Sequence, residues 1–348
     1  MCLGAAGFDA VPGPGFLECL TTMPFGAGYI RLEQGALPLL SPVTVDPDAG
    51  LTRALAALGW TCQEGQGGDE AEALDRLREG LMHGPVVLGP LDMGYLSYHP
   101  DCAHQPDADH HIAVLALEDD HALVHDPDGY PYAVLPLADL LTSWRADSID
   151  WKRGAYRMRY AFRQQQQRDR EDMIKRTLPL AVCRREAHQP CFLHRERAKA
   201  CLGTAVRPRN APLTHYLSAK LGLSDRLLVR ENLLADPGGP VEYGGVRALR
   251  LLAGDLRGEV SPRLHGGLVH FLLPLAARRF LDGALFFAEA RLPEAAAILD
   301  RQARLCGQAQ TLAIQKRYGE VAQRVDELAN CDVALTDLLD ADIAAYSI

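Results

Sequence analysis

The sequence predicts an α+β fold, with a mixed helix-and-strand domain over residues 1–165 followed by an all-helical domain over residues 166–348. Three observations predict it. Short apolar runs bounded by turn residues lie before residue 136, helical patterning alone continues after residue 170, and the polar run Gln164 to Gln167 marks the change of style. Leu51 to Leu58 (LTRALAAL) reads as helix after the Asp46-Pro47-Asp48 turn, and Asp69 to Met82 as an amphipathic helix stopped by Gly84. Strands follow at Val86–Leu88, Ile112–Leu117 and Ala122–His125, the last two joined by a turn at Glu118-Asp119-Asp120. Tyr132 to Leu135 is a further strand candidate. Beyond the polar run, helices are expected at Arg170–Val182, Leu213–Leu221, Val246–Leu256, Leu268–Ala290, Pro293–Arg317 and Glu320–Leu328. Pro293 occupies the first helical position, where its missing N–H costs nothing. No internal repeat of fixed period is present.

Composition narrows the function. A chain of 348 residues with 48% apolar content is too hydrophobic to be disordered and long enough for two domains. A formal net charge of −9 argues against nonspecific nucleic-acid binding, which needs a positive field. The strongest apolar run, Leu268 to Leu281, is cut by Arg278-Arg279 and falls short of the roughly 18 residues that span a bilayer. The N-terminus lacks a cationic segment ahead of an apolar one, so no secretory signal is read and the expected location is cytoplasmic. Nine cysteines, an odd number with irregular spacing, read as thiols rather than a disulfide framework.

The segment from Gly84 to Pro127 carries the chemistry. Adjacent antiparallel strands bring His111, at the start of one, close to Asp126, at the end of the next. A histidine oriented by a carboxylate is two thirds of a nucleophile-activating triad. His110 is the alternative imidazole, since alternation sends the two neighbours to opposite faces; His111 is preferred because it abuts the Ile112-Ala113-Val114-Leu115 run. Asp126 also opens Asp126-Pro127-Asp128-Gly129, a strong turn signal by itself, and Glu118 and Asp128 are alternative carboxylates. In papain-like folds such a pair serves a cysteine at a helix N-terminus, where unpaired N–H groups favour thiolate. Cys2, heading the small-residue run Leu3-Gly4-Ala5-Ala6-Gly7, is the candidate nucleophile; Cys19, within an apolar stretch, reads as a packed thiol.

Three features over residues 2–130 resemble the butirosin-type acyltransferase family, itself related to the bacteriocin-processing cysteine peptidases. Cys2 lies 23 residues before the Phe25-Gly26 pair of MPFGAGY. Pro85-Val86 runs into Asp92, Leu96, Tyr98 and His99. The His111–Asp126 element then follows. The resemblance implies a cysteine-peptidase-like acyl-transfer domain with Cys2, His111 and Asp126 as catalytic residues. It also implies movement of an acyl group from a carrier-protein phosphopantetheine thioester to an amine, with no intrinsic cofactor. A further likeness is to the condensing enzymes of lincosamide antibiotic pathways, which act on an amino sugar. The glutamine that usually precedes a peptidase nucleophile has no counterpart, since Met1 alone precedes Cys2.

The polar loop from His99 to His111 holds His99, Cys102, His104, Asp107, Asp109 and His110, but no familiar metal-ligand spacing. It is expected to be a lid, with no metal. Arg184, Arg185, Arg195, Arg197, Lys199, Arg207 and Arg209 form a basic run, read either as a solvated loop or as the docking patch for an acidic carrier protein. The helical domain would supply a pocket wall beside that patch. Three rivals stand beside acyl transfer: a peptidase with the same triad, an N-terminal nucleophile amidohydrolase using the Cys2 amine, and a noncatalytic carrier-docking protein. The oligomeric state, a homodimer included, is left open.

Overall fold

The computed structural model describes residues 1–8, 10–25, 27–32, 35–39, 47–100, 102, 108–149, 154–186 and 241–346. In chain order the described elements begin with α1 (Cys2–Ala5), α2 (Pro14–Thr21), β1 (Gly28–Leu32), β2 (Gly35–Leu39), α3 (Pro47–Leu58), β3 (Trp60–Gly65) and α4 (Glu70–Leu81). Next come β4 (Val86–Asp92), a 3-10 turn (Met93–Tyr95), β5 (Asp109–Leu117), β6 (His121–Asp126), β7 (Tyr130–Pro136), α5 (Leu137–Arg145) and β8 (Met158–Gln164). The remainder is α6 (Arg170–Glu186), β9 (Val241–Gly244), α7 (Gly245–Asp255), α8 (Pro262–Gly267), a π-helical turn (Leu268–Leu272), α9 (Leu273–Glu289), α10 (Pro293–Ile314) and α11 (Tyr318–Tyr346). The chain is therefore mixed α+β, with a large antiparallel sheet and a helical C-terminal region.

These elements form two compact units, Met1–Pro12 with Leu58–Gln167, and Gly13–Ala57 with Arg168–Ile348. The first is built on a six-stranded sheet ordered β3-β8-β4-β5-β6-β7, antiparallel at each pairing. Helix α4 begins in a capping box: the Asp69 carboxylate accepts from the Glu72 amide at 3.0 Å, and Glu72 Oε2 accepts from the Asp69 amide at 3.1 Å. Four residues apart on one helical face, Ala73 and Leu77 enter a core of Val86, Leu88, Ile112, Val114, Val124 and Leu135. From α5, Leu140 and Trp144 join the same core, and the Trp144 indole N–H donates to the Arg157 carbonyl at 2.7 Å. This shared apolar face fixes the parity of β4, β5, β6 and β7, and so decides which residues at their ends meet.

Strands β3 and β8 and helix α5 were not expected from the sequence. The apolar alternation of β8 is broken by arginine, because Arg159 is buried and pairs with Glu64 Oε1 at 2.8 Å across the sheet. Arg157, just before the strand, pairs with Oε2 of the same glutamate at 2.9 Å. A buried charge that carries its partner defeats a pattern built on hydrophobicity.

In the second unit β1 is the middle strand of a three-stranded sheet, paired antiparallel with β2 and with β9. An aromatic cluster joins the N-terminal segment to α9. Phe16 lies 5.3 Å from Phe286, and Phe25 meets Phe287 edge-on at 5.5 Å. Around it, Glu18 accepts from Arg279 at 2.7 Å and Arg278 at 3.0 Å. Arg170 grips Glu289 with two hydrogen bonds and stacks over Phe16. Residues 13–57, expected in the first domain, thus belong to the second unit, because their strand partner and their aromatic partners come from beyond residue 240. The chain passes from the first unit to the second at Gln167/Arg168.

The expected helices at Arg170, Val246, Leu268 and Pro293 are present, with the Leu268 helix opening on its π turn; the one expected from Glu320 runs from Tyr318 to Tyr346. Leu213–Leu221 lies outside the described residues. So do Arg195, Arg197 and Lys199 of the basic run, while Arg184 and Arg185 fall on the backbone of α6. Among the described residues no helix is long and apolar enough to cross a membrane.

Candidate acid–base site

Where β4, β5 and β6 end together, the first unit gathers an imidazole, a carboxylate and a phenol. His110 Nε2 lies 2.9 Å from Asp126 Oδ2, and the Tyr98 hydroxyl donates to that same oxygen at 2.5 Å. Asp126 Oδ1 accepts from the Asp128 backbone amide at 2.7 Å. The Asp126 side chain is fully buried and that of His110 retains 11% exposure, so water screens their interaction little.

The ionisation follows from this geometry. Burial works to raise the Asp126 carboxyl, but the hydrogen bonds from His110 and Tyr98, the imidazolium charge and the Asp128 amide hold it below the usual carboxylate range. Burial pulls the His110 imidazole down, yet its bond to Asp126 and the charges of Asp126, Asp128 and Asp109 outweigh that and raise it. The Tyr98 phenol is driven far above its ordinary range by burial and then by Asp126. Since Asp126 is the acceptor, Nε2 carries a proton, and the neutral imidazole holds its lone pair on Nδ1.

The histidine that meets Asp126 is His110, not His111 as expected, and strand parity is the reason. Ala113 lies opposite His125, and Val114 opposite Val124. Two-residue steps put His110 and Asp126 on the face of Ile112, Val114 and Val124, which the core covers. His111 turns to the other face with Ala113 and His125. There its ring lies over Gly89, where an added Cβ would stand 2.2 Å from His111 Cδ2. A register shift between Leu88 and Leu91 then sets Leu91 opposite His110, an irregularity of the kind that re-aims side chains at strand ends.

The two carboxylate oxygens of Asp126 have separate partners. Oδ1 closes the turn through the Asp128 amide, and the Gly129 amide donates to the Asp126 carbonyl at 3.3 Å with Gly129 at φ +99°. Oδ2 faces the imidazole. Glu118 is exposed at the far end of β5, roughly 25 Å along the strand from His110, too far to orient it. Asp128 acts on His110 through its charge.

Cys2 belongs to the same unit, at the start of α1. Its thiol is raised rather than lowered. Burial pushes it up, and the chain's own amine and the Cys2 amide pull the other way without offsetting it. A four-residue helix gives little of the macrodipole that the sequence reading invoked. Cys19 is completely buried in α2, with its thiol held well above the ordinary range, consistent with a packed residue. Among the described residues, Cys2, Cys19, Cys62, Cys102, Cys306 and Cys331 are thiols not joined in a disulfide.

Asp92, at the end of β4, has a structural part. Its carboxylate accepts from the Gly94 amide at 2.8 Å and from the Ser148 hydroxyl, and its carbonyl accepts from Ser143 at 2.8 Å. Of the polar loop, His99 stands with its ring 5.0 Å from that of Tyr130, while His104 and Asp107 lie outside the described residues. His110, Asp126 and Asp128 offer one nitrogen and two carboxylate oxygens within 4.8 Å of one another. Within this group His110 Nε2 and Asp126 Oδ2 are hydrogen-bonded to each other. In the sequence Tyr98 stands out only as part of the run Asp92, Leu96, Tyr98 and His99, which gives no sign of its hydrogen bond to Asp126.

Residues 239–340, within the second unit, match a family described as the YobF C-terminal domain. The chain is 33% identical over 142 residues to the uncharacterized protein YobF of Bacillus subtilis (strain 168), a match covering 40% of this chain and 45% of that protein. The chain thus matches less than half of that relative's length.

Proposed function

We propose that this protein is a carrier-dependent acyltransferase with cysteine-peptidase chemistry, in which Cys2 is the nucleophile, His110 the base and Asp126 its orienting carboxylate. The observation that carries the reading is the buried His110–Asp126 pair, which fixes the imidazole tautomer and leaves the lone pair on Nδ1. A papain-like placement of Cys2 against that nitrogen is part of the proposal.

The raised thiol means that Cys2 rests protonated, so its proton passes to His110 Nδ1 as sulfur attacks the thioester carbonyl. The tetrahedral adduct expels the pantetheine thiolate, which takes that proton, leaving acyl-Cys2. An amine then attacks the acyl carbon and gives a proton to His110. The C–S bond breaks, the Cys2 sulfur regains the proton, and an amide is released. Exchange between thioesters is close to isoenergetic and amide formation from a thioester is downhill, so the step needs no ATP. The phosphopantetheine arrives on the carrier. The basic run of Arg184, Arg185, Arg195, Arg197 and Lys199 is the part of the chain that we assign to an acidic carrier.

The test is incubation of the full chain with acyl-loaded carrier protein, followed by intact mass spectrometry with and without an amine. A mass increase equal to the acyl group, absent from Cys2→Ala and discharged by amine to an amide, supports the reading. Discharge to the free acid at the same rate with and without amine would assign the site to hydrolysis. No adduct on the wild-type chain would refute acyl transfer through Cys2.

A further inference from the structure

We infer that Tyr98 is a positioning residue of the acid–base centre: sharing Asp126 Oδ2 with His110, its hydroxyl fixes which carboxylate oxygen meets the imidazole and limits how strongly that oxygen holds the Nε2 proton. The inference rests on the reading of His110 as the acid–base group.

Three donors hold the Asp126 carboxylate. The Asp128 amide takes Oδ1, and Tyr98 and His110 both take Oδ2. A rotation of the carboxylate that exchanged its oxygens would disturb all three bonds at once, so the donors lock its orientation. The phenol is itself fixed, because Tyr98 follows the 3-10 turn after β4 and its ring stands 5.7 Å from that of Tyr130 on β7. Two donors on one anionic oxygen divide its charge, and each is held less strongly than it would be alone.

The groups acting on His110 come from each side. Leu91 of β4 stands opposite it, Asp109 precedes it on β5, and Asp126 and Asp128 face it from β6 and the following turn. The hydroxyl of Tyr98 is an uncharged donor within this acidic surround. Its removal leaves the carboxylate negative and returns the whole of Oδ2 to the imidazole, which favours imidazolium. Tyr98 therefore opposes Asp126, keeping the base from being held too firmly in its protonated form.

The experiment is an NMR titration of the histidine side chains in the full, isotope-labelled chain, with wild type, Tyr98→Phe and Tyr95→Phe compared. Tyr95 is a half-exposed tyrosine on the neighbouring turn. In Tyr98→Phe the His110 titration should move upward by about 0.5–1 unit, and the acid limb of acyl-Cys2 formation should move with it. Tyr95→Phe should leave both in place. Site-specific 3-fluorotyrosine at position 98 keeps the shape and makes a stronger donor, so it should move His110 the opposite way, and it decides the matter if Tyr98→Phe does not fold. An unchanged His110 titration in both Tyr98 variants, or a shift of the same sign in both, overturns the proposal. A wild type that forms no acyl-Cys2 refutes the acyltransferase reading, while the titration still decides the part played by Tyr98.

Discussion

At the residue scale, the acid–base pair shows how one strand step decides chemistry. His110 and His111 are neighbours of one residue type, and proximity to the apolar run pointed to His111. Parity pointed the other way: counted in twos, His110 goes with Ile112 and Val114, and Asp126 with Val124. That signal was legible in the sequence. The hydrogen bond from Tyr98 was not, because it joins a turn after one strand to the end of another. The lowered Asp126 and raised His110 give a pH prediction. A group raised on folding stabilises the protein below its unfolded value, near 6.5 for histidine, and loses that contribution as pH rises through its folded value. A lowered carboxyl stabilises above its unfolded value, near 3.9, and loses it as pH falls through its folded value. The pair therefore contributes most between about pH 4 and pH 6.5. Asp126→Asn should lower the His110 titration and flatten this part of the stability–pH curve, read from urea midpoints at several pH values. A His110 titration that stays or rises would show that Asp126 does not control the imidazole.

At the scale of elements, the parts read correctly are those whose local chemistry agrees with their packing. Asp69 and Glu72 form a capping box at the start of α4, and Ala73 and Leu77 supply its buried face, so that helix was legible almost to the residue. Strand β8 was hidden because Arg159 satisfies its charge on Glu64, a partner on another strand. Helix α5 was hidden by its brevity, although its Trp144 is completely buried among the core residues of the sheet and bonded to the Arg157 carbonyl. Trp144→Ala should cost about 3–5 kcal/mol, whereas Asp69→Ala should cost about 1 kcal/mol. Chemical denaturation of the two variants checks the order, and a tryptophan variant no less stable than the cap variant would contradict the assigned core.

At the scale of the whole molecule, the sequence conveyed the α+β class and the passage to helices, because both appear as changes of periodicity along the chain. It did not convey that residues 13–57 fold with the second unit. That assignment depends on the pairing of β1 with β9 and on Phe16 and Phe25 meeting Phe286 and Phe287, all between segments more than 200 residues apart. The candidate site was legible in kind, a histidine and Asp126 on adjacent strands, and incomplete in detail. Its central claim is that His110, held by Asp126, moves the proton of Cys2. The most direct measurement is the single-turnover rate of acyl-Cys2 formation from acyl-loaded carrier in His110→Ala and His111→Ala. His110→Ala should lose about 10²–10⁴-fold and His111→Ala should react at close to the wild-type rate; the reverse order, or equal rates in the two variants, would rule out His110 as the base.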